Sequence, residues 1–70
     1  MDGLLKFFRY HAPKNDQPER YVRIREAGLN LAEVINKCCP ESPDKSAAIR
    51  KVREAVMTAN AAIAIGEAEN

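Results

Sequence analysis

The sequence predicts an all-α fold: an antiparallel two-helix hairpin with a short N-terminal helical turn and strap, assembling into a helical oligomer. Three observations carry this. Two segments repeat apolar residues at alternating spacings of three and four, the period of one helix face. Pro40 and the pair Ser42-Pro43 lie between them, a stop followed by a start. Each segment also has a second stripe of small or apolar residues that a lone hairpin does not need. The chain reads as a single domain, 1–70: N-terminal turn and strap (1–15), first helix (16–39) and second helix (42–66).

DGLLKFF is the short opening turn. Tyr10-His11-Ala12-Pro13 cannot be helical throughout, because a residue before proline is pushed toward extended backbone. This makes the segment a strap. The first helix opens with Asp16 as N-cap and Glu19 three residues on, a capping box, with Pro18 tolerated in the first turn. Tyr21, Ile24, Gly28, Leu31, Ile35 and Cys38 form its seam, and Pro40 ends it. Ser42 caps the second helix and Pro43 is its first residue. Ile49, Val52, Val56, Ala59 and Ile63 give the facing seam, and Gly66 is the stop. A loop this short makes the two helices antiparallel neighbours.

The second stripes are Val22, Leu29 and Ala32 on one helix and Ala48, Ala55 and Ala62 on the other. Small residues there let a further helix approach closely, which reads as an oligomer interface. Size argues the same way. A chain of 70 residues buries only about 60% of its unfolded surface and needs help from disulfides, a metal or self-association. Cys38 and Cys39 are adjacent and poorly placed to bridge each other, so they read as partly buried thiols in a reducing compartment. His11 is the only histidine and is remote from them, so no metal site or cofactor is expected. No apolar run is long enough for a signal peptide or a membrane span.

The net charge of +1 hides an asymmetry. Residues 1–25 carry six cations against three acids, and residues 26–70 five against seven. An anionic partner would meet the N-terminal third. The imbalance is too small for long nucleic acid, which needs many phosphate contacts.

Three of the four aromatic residues, Phe7, Phe8 and Tyr10, cluster in FFRYHAPK with His11, Arg9 and Lys14. One reading has the phenylalanines capping the hairpin core and Tyr10 covering an end. The other makes the strap an aromatic platform for a nucleobase, worth ~1–3 kcal/mol per stacked base. Arg25 falls beside Leu29 and Ala32 on the second apolar face, whereas Arg23 points to solvent. A cation at an apolar interface requires a partner. Glu26 or Glu33 of another subunit would serve, and so would an external anion.

The string F-x-Y-H-x-P-x-x-x-Q-x-E-R-Y-x-x-I-R, Phe8 to Arg25, and the run A-V-M-x-A-N-A-A-I-A, Ala55 to Ala64, resemble the phage anti-CBASS sponge family. The resemblance covers residues 8–65. It implies an all-helical protein that assembles as a homohexamer in the host cytoplasm and sequesters cyclic oligonucleotides, with cyclic dinucleotides bound between protomers. Its stacking tyrosine and first-helix cation map onto Tyr10 and Arg25, and His11 and Pro13 shape the same pocket. Phe8, Lys14 and Gly28 are further candidate contacts, Phe8 being equally placed for the core. Thr58 and Ile65 stand where relatives often carry an aromatic and a cation. The missing cation speaks against the second pocket in which some members hold cyclic trinucleotides, so the resemblance points to dinucleotides of the cyclic GMP–AMP type and leaves trinucleotides open.

No catalytic set is legible: there is no Ser/His/Asp arrangement and no phosphate-cradling glycine loop. The chain reads as a binding protein rather than an enzyme. The alternative is a non-catalytic interaction module that oligomerises or docks on a host protein through FFRYHAPK.

Overall fold

The computed structural model describes residues 2–68, Asp2 in its backbone alone. Three helices follow one another: α1 (Asp2–Phe8), α2 (Gln17–Cys38) and α3 (Pro43–Gly66), with no strand among the described residues. The fold is all-helical, as the two periodic segments predict.

The start of α3 is built as its sequence suggests. Ser42 is extended, with φ −169° and ψ 162°, and its hydroxyl accepts the Lys45 backbone N–H at 3.1 Å. Lys45 is buried and its ammonium is paired to Glu41 on the preceding turn. At the other end of the loop Cys39 is extended, as a residue before proline must be, and its N–H donates to the Ile35 carbonyl.

The start of α2 departs from expectation. Asp16 sits at the N-cap position but its carboxylate caps nothing, so the capping box with Glu19 is not formed. The Asp16 backbone is turned out of the extended region, at φ −91° and ψ 8°, and its carboxylate pairs instead with Arg20 at 3.2 Å. Asn15 before it adopts the left-handed conformation, φ 54°, which asparagine tolerates better than most residues. No glycine takes a positive φ, so α3 ends at Gly66 without a left-handed cap.

α2 packs on α3. Gln17 at the start of α2 meets Glu67 beyond the end of α3, and Gly28 in the middle meets Val52 and Val56. At Gly28 the helices are so close that a Cβ would fall within 3.0 Å of Val56 Cγ2. Glycine is what permits this approach.

The chain makes a slab 46 × 26 × 13 Å, about one helix diameter thick. Its radius of gyration is 15.0 Å, against about 11 Å for a compact domain of this length. No apolar side chain is buried among the described residues. The accessible surface is 5624 Å², roughly 1,200 Å² above the ~4,400 Å² of a typical folded monomer of 7.8 kDa.

Several sequence-based placements change accordingly. Phe7 and Phe8 do not cap the helix pair. Both are exposed, Phe8 at 83%, because α1 ends before the strap and lies away from the α2–α3 seam. Tyr10 covers no helix end either. Leu31 belongs to the seam by spacing but is exposed, since the close contact at Gly28 leaves it on the slab's face. Cys38 and Cys39 are exposed rather than partly buried, because they sit at the outer tip where α2 stops.

Candidate ligand-binding site

The strap runs from Arg9 to Asp16, without regular structure, and is tied at both ends. Upstream, the His11 ring donates through Nε2–H to the Lys6 carbonyl at 2.8 Å, which fixes the imidazole against the last turn of α1. Downstream, Gln17 holds Lys14 twice: its backbone N–H donates to the Lys14 carbonyl at 3.0 Å, and its side-chain Oε1 accepts the Lys14 N–H at 3.1 Å. The Gln17 amide also donates through Nε2 to Glu67 Oε1 at 2.9 Å, fastening the strap to the far end of the chain. Gln17 is 3% exposed, so its side-chain carbonyl and one side-chain N–H are buried and satisfied.

Arg20, one turn along α2, grips the same carboxylate with a two-pronged fork: Nη1 to Oε2 at 2.8 Å and Nη2 to Oε1 at 2.6 Å. These hydrogen bonds, followed by the one from Gln17, hold the Glu67 carboxyl at about 2, well below its usual 4.5. The Arg20 guanidinium keeps its proton more firmly than usual, chiefly through Glu67. Arg20 Nε is buried without a hydrogen-bond partner, and so is Asn60 Oδ1.

Above this network lies an open cleft of about 240 Å³, lined by Tyr10, His11, Lys14 and Gln17 and closed on the α3 side by Ala64 and Ala68. Tyr10 is 82% exposed, its ring presented on the strap with no covering side chain. Pro13 is exposed on the strap and lines neither this cleft nor the groove around Arg25, and Phe8 stands out at the end of α1.

Arg25 lies elsewhere. It is eight residues beyond Gln17 on α2, about 12 Å along the helix axis. There it borders a shallow apolar groove of about 270 Å³ over Gly28, Leu29 and Ala32, with Val52 and Arg53 contributed by α3. Arg25 makes no ion pair among the described residues. The sequence reading places Arg25 beside Leu29 and Ala32, and the structure agrees. Arg53 was not singled out by spacing, because only the pairing of α2 with α3 brings it to that groove.

Within one chain the structure therefore groups Tyr10, His11 and Lys14 in one cleft and Arg25 with Gly28 in another. Gln17, Arg20 and Glu67 are absent from the sequence-based candidates. The capping-box reading addressed only the start of α2, and no local pattern links Gln17 to a residue 50 positions away.

The class this defines is a thin helical pair carrying an exposed aromatic strap and an apolar groove bordered by arginines that form no ion pair among the described residues. The sequence profile of the Acb2/Tad1 hairpin domain matches residues 3–64, so the chain belongs to that family, the anti-CBASS cyclic-oligonucleotide sponges. No curated protein and no solved structure matches the chain. The family implies a cyclic-oligonucleotide sponge role. No described helix is long and apolar enough to cross a membrane.

Proposed function

We propose that this protein sequesters cyclic dinucleotides of the cyclic GMP–AMP type in the cytoplasm of a phage-infected host and so withholds them from CBASS effectors. Tyr10 stacks on a base, Arg25 meets a phosphate, and His11 and Pro13 shape the strap around the ligand. Phe8, Lys14 and Gly28 are secondary contacts. The two helices run antiparallel within a single domain, and the working form is a homo-oligomer, the hexamer of the family.

The observation that carries this reading is the separation of Tyr10 from Arg25. Each is exposed and unengaged within the chain, yet they occupy different clefts. Two chains can close that gap by setting one strap against the other chain's groove. A cyclic dinucleotide has approximate two-fold symmetry, so a two-fold pair of protomers uses the same strap twice. The surplus surface supports association: a standard interface takes about 800 Å² from each partner, less than the roughly 1,200 Å² excess. Binding requires no chemistry on the ligand, and recovery of intact ligand after heat denaturation is the expected outcome.

The test is isothermal titration calorimetry with cyclic GMP–AMP, using the linear dinucleotide as control. The proposal expects tight binding of the cyclic form alone, near one ligand per two chains. A second reading, an interaction module docking on a host protein, rests on the exposed Leu4, Leu5, Phe7 and Phe8 of α1 and the start of the strap. An absence of heat together with an unchanged melting temperature would favour it.

A further inference from the structure

We propose that Gln17, Arg20 and Glu67 form a clasp that positions the ligand-binding strap, so that affinity depends on the end of α3 without that end touching ligand. The proposal rests on the reading of Tyr10 and the strap as a ligand contact.

The strap has no helix of its own, and its tie to the hairpin runs through Gln17. A primary amide is unfavourable to bury unless its donors and acceptor are met. Here Gln17 is nearly inaccessible, and its two ends are used for different jobs. Oε1 holds the Lys14 backbone, and Nε2 holds Glu67. The glutamine is thus a rigid bridge between strap and chain end rather than a surface side chain that happens to find partners.

Glu67 completes the bridge. It accepts one hydrogen bond from Gln17 and two from Arg20, and Arg20 is itself steadied by Asp16 at the foot of the strap. Remove the carboxylate and the buried Gln17 donor loses its acceptor, together with the two more exposed donors of Arg20. Gln17 is then free to turn toward water, and the Lys14 N–H loses its partner. The clasp sits where the walls of the strap cleft meet: Tyr10, His11 and Lys14 on the strap, Gln17 at the start of α2, Ala64 on α3 and Ala68 just beyond its end. The depressed pKa of Glu67 agrees with a carboxylate committed to these donors at neutral pH.

The experiment compares the full chain with Glu67→Ala and Glu67→Gln, by calorimetry with cyclic GMP–AMP and by hydrogen exchange at the Lys14 amide. Glutamine still offers an oxygen to Gln17, and alanine offers none. Glu67→Ala is expected to weaken binding about tenfold and to speed Lys14 exchange, because the buried Gln17 amide loses its acceptor. Glu67→Gln is expected to recover most of the affinity and most of the protection. Helix content and native mass stay as in the parent chain.

Equal affinity in all three proteins, with unchanged exchange at Lys14, overturns the proposal. A loss of affinity in Glu67→Ala that merely follows loss of helix content or dissociation also overturns it, since the carboxylate would then be structural. If the parent chain itself fails to bind cyclic GMP–AMP, the functional reading falls, and that outcome is distinct from a parent that binds and an alanine variant that binds equally well.

Discussion

Replacing Gly28 by alanine sets two effects of opposite sign against each other, and the geometry decides between them. Alanine in a helix interior gains ~0.5–1 kcal/mol over glycine. The new Cβ would fall within 3.0 Å of Val56 Cγ2, however, with Val52 Cγ1 at 3.8 Å behind it. Carbon atoms pack best at about 3.5–4.0 Å, so the valine must move by half an ångström or more. Valine in a helix has essentially one χ1 rotamer, so it cannot swing away and the helices must part instead. Overpacking of this kind costs about 1–3 kcal/mol. The expected net effect is a destabilisation of about 0–2.5 kcal/mol. In a Val56→Ala background the clashing methyl is gone and the same substitution should stabilise by about 0.5–1 kcal/mol. The coupling between the two sites is therefore about 1–3 kcal/mol. Thermal unfolding followed by circular dichroism, at one fixed protein concentration, measures it. A shift of roughly 4–8 °C per kcal/mol brings it within reach. The reasoning is refuted if Gly28→Ala raises the melting temperature equally with and without Val56.

Other outcomes follow from the same geometry. Tyr10→Ala and Arg25→Ala should each weaken cyclic dinucleotide binding, by ~1–3 kcal/mol for lost stacking and ~1.5–3 kcal/mol for a lost charge-assisted bond. Native mass spectrometry should show the assembly unchanged, and monomers from Arg25→Ala would make that residue structural instead. Leu31→Asp places a charge in the apolar groove bordered by Ile24, Ala27 and Ala55, and should shift the chain to smaller species in light scattering. An unchanged mass and melting temperature would remove that face from the interface. For pH, the Glu67 pKa is depressed in the folded chain, so its contribution to stability is present above about 4.5 and is lost as pH falls toward about 2. Carbon NMR of the Glu67 carboxyl checks this directly, and a titration near 4.5 would break the clasp reading.

The helices were legible because their signals are local. Ser42-Pro43 and Pro40 act within a turn of where they stand, and Ser42 caps α3 as its position implies. Asp16 was legible as a position but not as a partner: Arg20, one turn on, offered a stronger claim on its carboxylate than the backbone did. The phenylalanines were misplaced because packing them on the core presumes a core, and a slab one helix thick has no buried apolar interior among its described residues. Gln17 and Glu67 were invisible for a different reason. A hydrogen bond between residues 50 apart leaves no periodicity to detect, and glutamine at a helix start reads as solvated until the chain end is brought to it.

The thinness of the slab has a mechanical consequence. Gly28, Val52 and Val56 wall the groove that holds Arg25, and the same three residues wall the groove on the opposite side with Leu31 and Ala59. The two faces share the Gly28 backbone and the two valine side chains as a common wall. A body that seats on one side leans on the valines that shape the other, so there is no insulation by which one face could be loaded in silence. Under the proposed function, a ligand on one face and a neighbouring chain on the other would be felt through that single layer of atoms.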